Sequence, residues 1–95
     1  MFGETLQRLR KSYGYTQVSL SEKLGVTKQA VSNWENNNIL PSIDMLMRIA
    51  IFFSVSTDFL LDLDSRSFIE VDGLTIEEIS HIQQIINDIR KTRRE

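Results

Sequence analysis

Amide and hydroxyl side chains between residues 28 and 36 recur at the spacing of a helix. Positions i, i+1, i+4, i+5 and i+8 share one helical face, which holds Lys28, Gln29, Ser32, Asn33 and Asn36. An amide both donates and accepts hydrogen bonds, as at the N6 and N7 edge of adenine, and lysine can donate to O6 and N7 of guanine. We therefore expect Lys28, Gln29, Ser32 and Asn33 to contact base edges; the simpler alternative is a solvated polar face.

Two short helices joined at Gly25 would position this face. Thr16 is suited to cap the first helix and Thr27 the second, because a threonine hydroxyl accepts from the N–H groups of a first helical turn. Val26 can close back on Leu20, the contact that accompanies a helix ending at a left-handed glycine. This layout is typical of a helix-turn-helix, whose second helix presents side chains to the major groove of DNA, and it favours base contacts over the solvated alternative.

The spacing of apolar residues predicts an all-α fold of six helices. Besides the two just described, the expected helices cover residues 3–12, 43–53, 56–61 and 75–92. Ser42 and Ser56 are suited to cap two of them, and Thr75 with Glu78 has the pattern of a capping box.

These helices divide the chain into three parts. We expect a five-helix unit at residues 1–61, a linker at 62–74 and a C-terminal amphipathic helix at 75–95. Within the linker, residues 68–71 are either a short strand or an irregular connector with Phe68 as its anchored aromatic residue.

Composition excludes several classes of function. The chain has no cysteine and its one histidine is His81, so it lacks disulfides, thiolate sites and a histidine pair for a metal. It has neither a glycine-rich phosphate loop nor a nucleophile constellation, and we expect no enzyme activity, catalytic residue, metal or cofactor. Because no run approaches the ~20 apolar residues of a membrane span and no signal-peptide pattern begins the chain, we expect no membrane partner and a cytoplasmic location.

The net charge of −2 is unevenly distributed. Residues 1–55 contain six Lys/Arg and four Asp/Glu, whereas residues 56–95 contain five Lys/Arg and nine Asp/Glu. The amide-rich helix therefore lies in the positive half of the chain. Electrostatic attraction to phosphates is nevertheless weak, so tight binding to DNA would depend on shape, dimerisation and base contacts.

Residues 5–61 resemble the phage-repressor and Cro type of helix-turn-helix, the XRE family of bacterial and phage regulators. The resemblance rests on segments 14–17, 20–26, 31–36 and 55–61. It implies a five-helix lambda-repressor-like domain that binds palindromic operators as a dimer, with Gln17 and Asn36 at phosphates and Lys28, Gln29 and Asn33 facing bases. The full set of residues expected at phosphates is Thr16, Gln17, Thr27, Asn36 and Asn38.

The family often pairs an arginine of its first helix with a glutamate ending its third, and Arg10 and Glu35 occupy those positions. The resemblance thus implies a structural ion pair between them. The chain departs from the family pattern at Ser21, Asn37 and Ser54, where an alanine, a glycine, and a glycine or asparagine are usual. Ser54 must either accept a strained left-handed turn or end its helix differently.

The C-terminal helix has a seam of four isoleucines spaced three, four and three residues apart, the pattern of a coiled coil. These seam residues are Ile79, Ile82, Ile86 and Ile89. Two heptads are too few for a durable free coiled coil, so the seam must be buried on its own domain or on a partner. We favour a homodimer, to which the helix at 43–53, apolar nearly all round, would contribute. The expected interface residues are Phe52 and Phe59, both expected to be exposed, and Ile79, Ile82, Ile86 and Ile89.

Two hypotheses of function follow. The first is a sequence-specific transcriptional regulator, most simply a dimeric repressor that reads a palindromic operator in double-stranded DNA through the helix at 28–36. The second is a protein-interaction module, an antitoxin or anti-repressor that acts on another regulatory protein through the C-terminal helix. Neither requires a small-molecule ligand.

Overall fold

The computed structural model describes residues 1–63 and 69–94, and within these residues it contains six helices and no strand. The helices are α1 (Phe2–Ser12), α2 (Gln17–Leu24), α3 (Lys28–Glu35), α4 (Ile43–Phe53), α5 (Thr57–Leu60) and α6 (Ile76–Arg94). The predicted all-α fold is confirmed. Residues 69–71 are irregular, which favours the connector over the strand, and Phe68 lies outside the described residues.

Side-chain hydroxyls cap the five helices α2 to α6. For α2 to α5 the hydroxyl oxygen accepts from the backbone N–H three residues ahead, at distances of 3.0 to 3.2 Å, and the capping residues are Thr16, Thr27, Ser42 and Ser56. At the start of α6, the Thr75 N–H donates to Glu78 Oε1 at 2.9 Å while the Glu78 N–H donates to Thr75 Oγ1 at 3.1 Å. The predicted caps are therefore confirmed, and each stabilises its helix by about 1 kcal/mol.

The core lies where α1, α2 and α3 meet α4 and α5. Its most deeply buried side chains are Leu6, Leu20, Leu24, Val31, Ile49, Phe53 and Leu60. Tyr13 closes one edge, because its ring meets Phe53 edge-on at 5.0 Å between centroids and its hydroxyl donates to the Phe53 carbonyl at 2.9 Å. Trp34 is also buried, so α3 turns its apolar side inward and leaves its amide-rich side to solvent.

Two helices have a C-cap residue in the left-handed conformation, a glycine after α2 and a serine after α4. After α2, Gly25 has φ 72° and the Val26 N–H donates to the Ser21 carbonyl at 2.9 Å, which completes the predicted helix ending. After α4, Ser54 has φ 54° and the Val55 N–H donates to the Ala50 carbonyl at 3.0 Å. Ser54 therefore accepts the strained turn.

Substituting these two residues should have opposite effects on stability. We expect Ser54→Gly to raise the free energy of unfolding by about 0.5–1 kcal/mol, because glycine relieves the left-handed strain by more than it loosens the unfolded chain. Gly25→Ala should lower it by about 1 kcal/mol through the backbone alone, since a Cβ at Gly25 would meet no atom within 4 Å. Urea unfolding measures both; a less stable Ser54→Gly protein would contradict the assignment of strain.

The last helix stands apart from the core. Ile79, Ile82 and Ile86 of α6 are half-buried, and with Ile69 and Val71 of the preceding segment they line a groove of about 450 Å³. The apolar side of α6 is thus covered on one flank by a short connector.

Among the residues described, no helix is both long and apolar enough to cross a membrane.

Candidate nucleic-acid interface

The exposed face of α3 gathers the four side chains predicted to read bases. Lys28 and Gln29 are exposed and Ser32 and Asn33 half-buried, while Val31 and Trp34 occupy the opposite, buried side. Thr27 caps the helix and thereby fixes its first turn, which carries Lys28 and Gln29. The helical period thus places hydrogen-bonding groups outward and apolar groups inward, as the sequence predicts.

Two side-chain hydrogen bonds one helical turn long organise this face. Gln29 Nε2 donates to Asn33 Oδ1 at 3.1 Å, and Asn36 Nδ2 donates to Ser32 Oγ at 3.4 Å. The first bond uses one N–H of Gln29 and one lone pair of Asn33. Because each amide has both an accepting oxygen and a donating NH₂ group, the Gln29 oxygen and the Asn33 NH₂ group can still form hydrogen bonds with a ligand. Together they form an ordered array of donors and acceptors of the kind a base edge requires.

The residues expected at phosphates lie at helix ends. Thr16 and Thr27 precede α2 and α3 at their N-termini, where free N–H groups and the helix dipole favour an anion. Asn36 and Asn38 follow α3 and are exposed. Gln17 is half-buried, and its Nε2 donates to Glu35 Oε1 at 3.0 Å, so one of its two N–H groups is already engaged within the protein.

A buried ion pair holds α3 against α1. Arg10 Nε donates to Glu35 Oε2 at 2.6 Å and Arg10 Nη2 to Glu35 Oε1 at 3.0 Å, with both side chains at least nine-tenths buried. Arg10 Nη1 also donates to the Tyr15 carbonyl at 2.9 Å. With the bond from Gln17, Glu35 accepts three N–H groups from two different helices. The carboxylate therefore fixes the end of the exposed helix relative to α1 and α2.

Asn37 joins the end of α3 to the start of α1, a role that sequence reasoning missed. It has φ 59°, its Oδ1 accepts from the Gly3 N–H at 2.9 Å, and its Nδ2 donates to Glu4 Oε1 at 3.2 Å. A Cβ on Gly3 would collide with the Glu35 carbonyl oxygen, so the two backbones approach as closely as glycine permits. The available signal was an asparagine where the family usually has glycine, since asparagine tolerates the left-handed conformation and adds a polar side chain.

Arg48 has a similar role at the end of α2. Its Nη2 donates to the Leu24 carbonyl at 2.8 Å, which satisfies one of the last carbonyls of that helix. The arginine lies on α4, 24 positions further along the chain. No local pattern links the two residues, so this contact could not be predicted from the sequence.

The expected exposure of Phe52 and Phe59 is wrong. Both side chains are half-buried. Phe52 packs its ring against Tyr15 at 5.5 Å and against Phe53 at 5.0 Å between centroids, which removes much of it from solvent. Of the isoleucines predicted at a dimer interface, Ile79, Ile82 and Ile86 are half-buried and Ile89 is exposed.

No group of three or more His, Cys, Asp or Glu side chains within residues 1–63 and 69–94 lies close enough to hold a metal ion. The polar face of α3, with the flanking helix ends and the ion pair behind it, brings together the residues predicted to contact DNA. What it supplies chemically is hydrogen bonding and shape.

Known proteins resemble this chain in sequence and in fold. Residues 6–60 match the family model HTH_3, described as helix-turn-helix. The chain is 33% identical over 86 residues to ImmR, an HTH-type transcriptional regulator of Bacillus subtilis (strain 168), a match that covers 90% of the chain and 68% of ImmR. Across three curated relatives, the chain spans 29%, 56% and 68% of their lengths.

Two solved structures resemble the fold. The P22 c2 repressor in complex with a synthetic operator superposes with a TM-score of 0.63 at 30% identity, covering 67% of this chain and 97% of the repressor chain. The complex of SinR with SinI superposes with a TM-score of 0.62 at 27% identity, covering 99% of this chain and 98% of the other. The first of these structures contains a repressor bound to DNA, and the second contains a protein bound to another protein.

Proposed function

Since the chain belongs to the helix-turn-helix family, whose members are XRE-type transcriptional regulators and not enzymes, we propose that it binds double-stranded DNA in a sequence-specific manner. The observation that carries the proposal is the polar face of α3, which presents Lys28, Gln29, Ser32 and Asn33 on one side of a helix whose other side is buried. In this proposal α3 enters the major groove. Thr16, Gln17, Thr27, Asn36 and Asn38 then contact the flanking phosphates.

We infer that regulation is repression of transcription by a homodimer on a palindromic operator. Residues 1–61 form the DNA-binding unit, residues 62–74 link it to α6, and residues 75–95 contribute to dimerisation. Two-fold symmetry would place the recognition helices about one DNA turn, ~34 Å, apart. The weak positive charge of residues 1–55 supports this inference, because a single unit would gain little affinity from phosphates alone.

We infer a cytoplasmic regulator, bacterial or phage-encoded, that needs no cofactor and no small-molecule ligand. A second regulatory protein is an alternative occupant of α6. The resemblance to SinR in its complex with SinI supports this alternative, because that match spans α6 as well as the first five helices. A chain that co-purifies with a different protein and remains monomeric by itself would favour the partner.

A half-site experiment tests the dimeric operator complex. A duplex with both half-sites should bind one dimer through both of its units. A duplex with one half-site engages only one unit of the dimer and should bind at least about tenfold more weakly, since it forfeits the symmetric contacts of the second unit. Fluorescence anisotropy at fixed salt measures affinity and stoichiometry together. Equal affinity for both duplexes, with one chain on each, would contradict dimeric recognition.

A further inference from the structure

The outward side of α4 is an apolar stripe. Ile43, Met47 and Ile51 are 77%, 52% and 76% exposed, and their four-residue spacing aligns them along one side of the helix. The opposite side carries Ile49 and Phe53 into the core. Single exposed apolar residues are ordinary on a protein surface. Three aligned on one side of a helix whose opposite side already packs into the core form an apolar surface suited to a partner.

This stripe is continuous with the apolar side of α6. Ile51 and Ile69 line a groove of about 330 Å³ beside the end of α4. Ile69 also lines the groove of about 450 Å³ against α6, together with Ile82 and Ile86. One isoleucine thus belongs to both grooves and connects α4 and α6 into a single apolar surface.

The four seam isoleucines of α6 offer too little exposed area for a stable homodimer by themselves. A standard interface buries about 800 Å² per partner, of which about 65%, or roughly 500 Å², is apolar in homodimers. Each fully exposed isoleucine supplies roughly 60–120 Å². Three of the four seam residues, Ile79, Ile82 and Ile86, are already half-buried, so the seam alone falls short. The α4 stripe with Ile69, whose members are 52–77% exposed, supplies roughly 160–330 Å² by the same measure, so it is the larger of the two apolar contributions.

We propose that α6 of a second copy of this chain docks on the α4 stripe, so that each α6 bridges to the other subunit's DNA-binding unit. This inference rests on the proposed dimer and specifies its geometry. Two-fold symmetry makes the contact reciprocal, because each copy offers both an α4 stripe and an α6 seam. Charge also matches: Glu70 lines the groove at α4 and Arg90 the groove at α6, so docking brings opposite charges together.

Disulfide trapping tests the contact, since the natural chain has no cysteine. Met47→Cys and Ile86→Cys chains, one of them tagged, are mixed and oxidised. Interchain disulfides between the two variants should form about tenfold faster or more than between Arg8→Cys and Ile86→Cys, because a disulfide requires Cβ atoms within about 4.5 Å. Arg8 is exposed on α1 and serves as the matched control. Equal rates in the two mixtures would overturn the proposal.

Sedimentation gives an independent test. Met47→Glu/Ile51→Glu should weaken dimerisation at least about 100-fold, because two desolvated apolar contacts per subunit are replaced by charges, while thermal unfolding stays near that of the natural chain. Val18→Glu, at an exposed apolar position of α2, is the control and should leave dimerisation unchanged.

The possible outcomes separate this inference from the proposed function. If Ile82→Glu dissociates the dimer but Met47→Glu/Ile51→Glu does not, α6 pairs with its own symmetry mate; the docking proposal is then wrong and the dimeric regulator stands. If the Met47→Cys/Ile86→Cys double variant closes a disulfide within one chain at low concentration, α6 folds onto its own α4 and the proposal is again wrong. A natural chain that stays monomeric both alone and on its operator would overturn the dimer itself.

Discussion

Glu35→Ala is expected to lower the free energy of unfolding by about 3–5 kcal/mol, the usual cost of breaking a buried ion pair by removing one partner. The reason is the guanidinium of Arg10, which would remain about nine-tenths buried without the carboxylate that accepts two of its N–H groups. Gln17 would lose its acceptor as well. For a domain of this size the melting temperature should fall by at least about 12 °C.

A matched double variant separates the charge from the packing. Arg10→Met/Glu35→Leu removes both charges and should recover most of the lost stability, because buried ion pairs are often replaced by apolar residues at little cost. Urea unfolding of the natural chain and both variants provides the comparison. A loss under about 1 kcal/mol for Glu35→Ala would mean that the pair is solvated and does not hold α3 in place.

Gln29→Ala/Asn33→Ala should abolish most of the discrimination between operator and random DNA. Each base contact contributes about 1–3 kcal/mol, so the ratio of specific to non-specific affinity should fall by a factor of roughly 30 to 20,000. Because Gln29 donates to Asn33, the two single substitutions should not be additive. Non-specific affinity should change little, since neither residue is expected at a phosphate.

The chain contains its own control for this experiment. Gln83 on α6 donates to Asn87 Oδ1 at 3.0 Å, the same amide pair at the same spacing as on α3. Gln83→Ala/Asn87→Ala therefore removes equivalent side chains outside the proposed DNA interface. Because Gln83 also lines the groove against α6, the comparison uses variant chains whose dimerisation by sedimentation matches that of the natural chain, and their affinity ratio should be unchanged. If the two double variants behave alike, the amides of α3 do not read bases.

Local patterns predicted the helices well because the signals are local. Hydroxyl caps such as Thr27 and Ser42 bind a backbone N–H only three residues ahead. The alternation of polar and apolar residues in α3 is complete within the eight residues of that helix. The same spacing identified which side of α3 is exposed, so the residues of the candidate base-reading face could be predicted from the sequence. The ion pair between Arg10 and Glu35 was implied by resemblance to a family.

Contacts between distant parts of the chain could not be predicted in the same way. Asn37 and Gly3 are 34 positions apart, and nothing in either neighbourhood specifies the hydrogen bond that joins them. Phe52 was expected to be exposed; its partial burial depends on Tyr15, which lies in the turn between α1 and α2. The surface that covers the isoleucines of α6 likewise depends on packing between distant parts of the chain, and we propose that it is the α4 stripe of a second copy.

The most direct test of sequence-specific recognition is selection of bound duplexes from random DNA, with the natural chain and Gln29→Ala/Asn33→Ala run side by side. Enrichment of an inverted repeat, with half-sites about one helical turn apart, by the natural chain but not by the variant is the expected result. If the folded natural chain enriches no sequence, or if the variant enriches the same repeat equally well, the proposal that α3 reads an operator is wrong.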